Sequence, residues 1–151
     1  MENRFLCRGK RIDTGEWVEG YLVQTVESSY IVVPYKHSTI CGEGSVIEID
    51  QSTICQCTGL KDKNSKLIWE NDILMCHGNP EDLVKAVFGE FNVINVETLK
   101  VIDRVIGWHY EVVPTDALSK CEPFYFPMPL TEEYVKTCEM EVVDNPELLE
   151  A

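Results

Sequence analysis

Apolar positions along this chain come in short runs separated by turn signals, not in long periodic stretches. Residues 17–23, 30–33, 46–49, 73–76, 84–88 and 91–96 are each rich in β-branched and aromatic side chains, the composition of strands. Residues 105–113 form a further strand candidate, stopped by Pro114. Gly89-Glu90 lies between two of these runs and predicts a tight hairpin there. Strands this short and frequent argue for an all-β sandwich or barrel.

Helix signals are few. Thr131 precedes Glu132 and Glu133, an N-cap followed by an acidic first turn, which predicts a short helix over residues 131–138. Asn145-Pro146-Glu147 suits one closing turn, with Pro146 at its first position. Residues 121–129 hold three prolines and read as an extended connection.

Residues 58–74 are the most information-dense stretch. Asp62-Lys63-Asn64-Ser65 reads as a turn, since Asp and Asn side chains bond nearby backbone. Asn71 before a strand implies positive φ, which Asn tolerates better than most residues. Asp72 is then placed to bond a backbone N–H where the strand begins. Turn plus strand start accounts for the stretch without chemistry. Residues 9–20 echo it weakly: a glycine, basic residues, an Asp, a turn, then a tryptophan. Both copies read as strand–turn–strand units.

At 151 residues the chain is long enough for a core without disulfides, and a single domain over 1–151 is expected. Met1 is followed by no apolar leader, and no apolar run approaches the ~18 residues of a membrane span. The expectation is a cytoplasmic protein with no membrane partner. Seven cysteines, an odd count at irregular spacing, point to reduced thiols.

Net charge is −13, which repels phosphates and makes nucleic acid the less favoured partner. The charge is uneven. Residues 2–11 carry four cations against one acid, whereas 132–151 carry seven acids against one lysine. Such asymmetry can steer a partner or promote self-association.

The motif blocks carry a resemblance. Arg8-Gly9-Lys10-Arg11 with Asp13-Thr14-Gly15-Glu16-Trp17-Val18, then Thr58-Gly59-Leu60-Lys61-Asp62-Lys63-Asn64, then Asn145-Pro146-Glu147-Leu148-Leu149, resemble the YopX family in content and order. They fall in an N-terminal block over 5–23, a central block over 53–76 and a tail over 130–151; residues 78–129 match only loosely. The resemblance implies a compact, mainly β fold of barrel character, SH3-like or pseudobarrel, with one or two short helices. It also implies a protein encoded by bacteriophages or prophages, and brings no reaction with it. Ser65 and Asn71 stand where the family usually has glycine. That fits a backbone requirement better than a contact requirement.

Chemistry-bearing constellations are weak. Cys55, Cys57, Cys76 and His77, with His37 and Cys41 upstream, are the only metal candidates. Their C-x-C and adjacent C-H spacings lack the C-x₂-C of zinc knuckles. Cys55 and Cys57 share a strand face, while Cys76 and His77 point oppositely. His109, between Trp108 and Tyr110, reads as an outward strand residue. No nucleophile elbow or phosphate loop is present. A non-enzymatic protein without cofactor is therefore expected, acting on a host or phage protein or on a second copy of itself. Arg8, Lys10, Arg11, Trp17, Lys61 and Trp69 are the candidate binding residues, with oligonucleotide binding through the basic N-terminal block as the alternative and a small metalloprotein or hydrolase behind it.

Overall fold

The computed structural model describes residues 2–33, 46–114 and 126–143. The chain divides into two units, Met1–Gly59 and Leu60–Ala151.

The first unit is an antiparallel sheet of β1 (Cys7–Lys10), β2 (Trp17–Gln24), β3 (Ser29–Val32), β4 (Val46–Ile49) and β5 (Cys55–Lys61), in the order β4-β3-β2-β1-β5. Alternation decides which face each residue joins. Cys7, Ile31 and Ile49 are buried together, with Val18, Leu22, Val33 and Ile54 packed around them. Each fully buried isoleucine contributes about 1.5–3 kcal/mol. Gly20 is required by crowding. A Cβ there would strike the Val32 carbonyl oxygen and lie 2.8 Å from Ile31 Cγ2.

β5 runs on into the second unit, where a tight reversal joins it to β6 (Leu67–Trp69). A second sheet follows: β7 (Ile73–Met75), β8 (Leu83–Ile94), β9 (Val101–Val112), β10 (Met128–Pro129) and β11 (Glu141–Val142), ordered β10-β9-β8-β7-β11. The one α-helix among the described residues, α1 (Glu132–Thr137), begins as expected. Thr131 Oγ1 accepts from Tyr134 N at 3.1 Å. Six residues are too few for a helix to stand alone. Val135 anchors it in a core with Ile68, Leu74, Val84, Ala86 and Met140.

Mainly β architecture is as the sequence predicts, and both strand–turn–strand echoes fold as read. Two expectations are corrected. Neither strand order closes on itself among the described residues, so open sheets replace the expected barrel. The outer strands of the second sheet are two residues long, and Pro129 has no N–H to extend pairing. The hairpin expected at Gly89-Glu90 is also absent. Gly89 sits opposite Gly107 in the middle of one continuous ladder from Val84↔Val112 to Ile94↔Val101. The reversal comes at Asn95, whose side chain accepts from the N–H groups of Glu97 and Thr98 at 2.9 and 3.2 Å. Asn95 supplies turn hydrogen bonds that a two-residue Gly-Glu loop would lack. The closing turn at 145–149 and most of the proline-rich connection fall outside the described residues.

Ser65 and Asn71 both adopt left-handed backbone, with φ of 64° and 69°. An L-residue without local hydrogen bonding is penalised there. Ser65→Gly is expected to raise stability by about 0.5–1 kcal/mol, the left-handed relief being partly offset by glycine's larger unfolded-state entropy. Denaturant titration of the two proteins reads this directly.

Candidate functional site

The candidate binding residues divide between the units. In the first, the register Arg8↔Glu19 and Lys10↔Trp17 places Arg8, Lys10, Trp17 and Tyr21 on one sheet face. The Arg8 guanidinium lies 4.5 Å from the Trp17 ring centroid, and Lys10 Nζ 5.3 Å from it. Exposed cation–π contacts of this kind contribute about 0.5–1 kcal/mol. Trp17 is 46% exposed. Arg11 does not join them. Its guanidinium makes two 2.8 Å bonds to the Asp13 carboxylate. Those bonds hold the Asp13 carboxyl below the usual range.

Lys61 is exposed at the end of β5, but Trp69 is buried at 3% exposure. Trp69 therefore presents almost no surface to a partner. Its backbone explains the motif: Trp69 N donates to Asp72 Oδ2 at 2.8 Å. Asp62 does more. Its Oδ1 accepts from Asn64 N and Lys66 N at 2.8 and 2.9 Å, and its Oδ2 accepts from Val142 N at 2.9 Å. Lys63 N donates to the Met140 carbonyl at 3.0 Å, and the Lys63 ammonium pairs with Glu141 at 3.1 Å. The lysine–aspartate turn is thus a clamp on the strand that follows α1.

The metal candidates do not assemble. Cys55 and Cys57 are buried on one face of β5, as their spacing requires. Cys76 is buried, while His77 is exposed in left-handed backbone. Among the described residues no group of three or more His, Cys, Asp or Glu side chains is placed to hold a metal. His37 and Cys41 lie outside the described residues. Burial pushes the Cys76 thiol up to about 12, with Asp82 and Cys138 adding to it. A protonated thiol is a poor nucleophile and a poor ligand. His109 is a correction: it is buried at 2% exposure, stacked 4.5 Å from Phe91, with Nδ1 3.1 Å from the Gly107 carbonyl oxygen. The large Phe91 neighbour turns that strand face inward.

One feature was hidden by breaking β8 at Gly89. β7 pairs with β8 only over Leu83–Lys85, and β10 with β9 only at His109 and Tyr110. Farther along, β8 and β9 form a two-stranded ribbon with no outer strand among the described residues. At its base one face is core: Val84 and Ala86 are buried, and Trp108, Tyr110 and Val112 pack against them. The same face continues along the ribbon as Phe88 and Ile106, 47% and 69% exposed. Ile102, 65% exposed, sits at the bulge where Val93↔Asp103 is followed by Ile94↔Val101. Phe88 stacks edge-on against Trp108 at 5.2 Å, and Arg104 pairs with Glu90 at 2.6 Å.

Comparison with known protein families matches residues 7–150 to the family described as YopX protein. None of the curated proteins matches.

Proposed function

The chain belongs to the YopX family, and from that premise we propose a non-catalytic, phage-encoded cytoplasmic protein that acts by association, its partner at the β8–β9 ribbon being a second copy of itself. The observation that carries this reading is the uncovered continuation of a core face. Phe88 and Ile106 extend the apolar surface that α1 and its neighbours cover only at the base, and Ile102 is exposed at the bulge beyond them. A two-stranded ribbon is marginal alone in water, and exposed apolar patches bounded by polar residues mark interfaces.

Charge locates where a second copy would meet the first. Two chains of −13 repel each other over most of their surface. Residues 87–108 hold Glu90, Glu97 and Asp103 against Lys100 and Arg104, a net of −1. Like-charged copies meet there with the least repulsion. A two-fold pairing would seat each Phe88 and Ile106 against the same patch of its mate.

Sedimentation velocity over a concentration series tests the reading. The native chain is expected to shift from monomer to dimer as concentration rises. Ile102→Glu with Ile106→Glu is expected to stay monomeric and folded, since both side chains are exposed. A native chain that is monomeric throughout, or a double variant that dimerises equally, contradicts it.

A further inference from the structure

The second unit contains a cavity of about 430 Å³ between the start of β8, the end of β9, Val96 in the turn after β8 and the segment after α1. Its walls are largely carbon and sulfur, from Val84, Val112, Met128, Cys138 and Met140. Such a volume falls in the ~300–1,000 Å³ range of small-ligand sites, which are apolar with a few convergent polar groups. The polar groups here are the Tyr110 hydroxyl and the Asp82 carboxylate, both lining the cavity, with His77 beside Asp82.

Tyr110 and Asp82 are half-buried, and among the described residues their side chains make no hydrogen bond, which leaves both groups open to a ligand. The rim is held in place. His77 and Glu139 both adopt left-handed backbone, at φ of 53° and 47°, and His77 N donates to the Cys138 carbonyl at 2.9 Å. Non-glycine residues persist in that conformation only when their surroundings impose it, and they gather at binding sites. The His77 imidazole, itself part of the lining, lies 3.7 Å from the exposed Glu139 carboxylate, so Asp82 is the one acid that lines the cavity.

We propose that this cavity binds a small apolar amine, its hydrocarbon body against Val84, Val112 and Met140 and its ammonium at the Asp82 carboxylate and Tyr110 hydroxyl. An ammonium supplies the donors that Asp82 and Tyr110 lack, and a chain of −13 attracts cations and repels anions. The Cys76 thiol, pushed up to about 12 by burial, stays protonated and forms wall, not nucleophile.

The test is an amide-resonance titration with 2-phenylethylamine and its neutral counterpart 2-phenylethanol. The amine is expected to shift resonances of residues 76–84, 110–112 and 138–140, and to bind at least about tenfold more tightly than the alcohol, as a charge-assisted hydrogen bond warrants. Asp82→Asn should bring the amine down to the affinity of the alcohol. Burial raises the Asp82 pKa, so its charge is desolvated at some cost to the fold, and the isosteric asparagine variant should remain folded. No shift at millimolar amine, equal binding of amine and alcohol, or full affinity in a folded Asp82→Asn protein would each overturn the proposal. The ribbon double variant should bind the amine as the native chain does, which keeps this outcome separate from that of self-association.

Discussion

Asp62→Ala is expected to destabilise the protein by about 3–5 kcal/mol, a loss at the top of the range for single substitutions. The side chain is 6% exposed and accepts three backbone N–H groups, from Asn64, Lys66 and Val142. Bonds from a donor to an ionised acceptor contribute about 1.5–3 kcal/mol each, though not additively. Removing the carboxylate leaves the N–H groups of the turn and of buried Val142 without this acceptor. Alanine also removes the side-chain tie between β11 and the central turn, leaving the Lys63 N–H to the Met140 carbonyl and the surface pairs of Glu141 with Lys63 and Asn64. Surface pairs contribute little. Asp62→Asn keeps one acceptor but turns a donor toward one of the three N–H groups, so an intermediate loss of about 1–3 kcal/mol is expected. Denaturant melts of both variants decide it. If the alanine variant lies within about 1 kcal/mol of the native chain, the clamp does not hold the second unit together.

The second large effect is expected in the first unit. Gly20→Ala should destabilise it by about 3 kcal/mol or more, because its Cβ meets backbone that cannot rotate away. The obstruction is the Val32 carbonyl, with the Val32 carbonyl carbon at 3.0 Å and Ile31 Cγ2 at 2.8 Å. Gly9→Ala makes the comparison sharp. Its nearest neighbour is Ile49 Cδ1 at 2.5 Å, the far end of a side chain. A rotamer change can relieve that contact, so the loss should be smaller. Amide resonances of β1 to β4 report which variant keeps the sheet. Equal losses from both would mean that the β2–β3 crowding is relieved by strand movement.

What the sequence disclosed and what it hid separate along local and long-range interactions. The Asp62 turn, the left-handed Asn71 and the Thr131 cap were all legible, because each is settled within four residues. Asp72 does accept a backbone N–H, but that of Trp69 at the end of β6, not one at the start of β7. The bond from Val142 N to Asp62 spans 80 positions, and no local pattern announces it. The β8–β9 ribbon was misread for a related reason. Gly89-Glu90 carries a local turn signal, but pairing along the whole length of β9 outweighs it. His109 was misplaced because its burial depends on Phe91, its neighbour in space across the ladder. Among the candidate binding residues, Arg8, Lys10 and Trp17 were brought together by strand register, while Asp13 drew Arg11 away. Trp69 was an aromatic whose exposure periodicity alone could not settle.

Amide hydrogen exchange along β8 and β9, followed at low and high protein concentration, tests the self-association account most directly. Ribbon amides with no outer strand should exchange quickly in dilute protein. The account expects protection over residues 88–92 and 102–106 to rise with concentration, and to stay low at every concentration in the Ile102→Glu, Ile106→Glu protein. Protection in the native chain that is the same at both concentrations, or a rise confined to residues away from the ribbon, would contradict it.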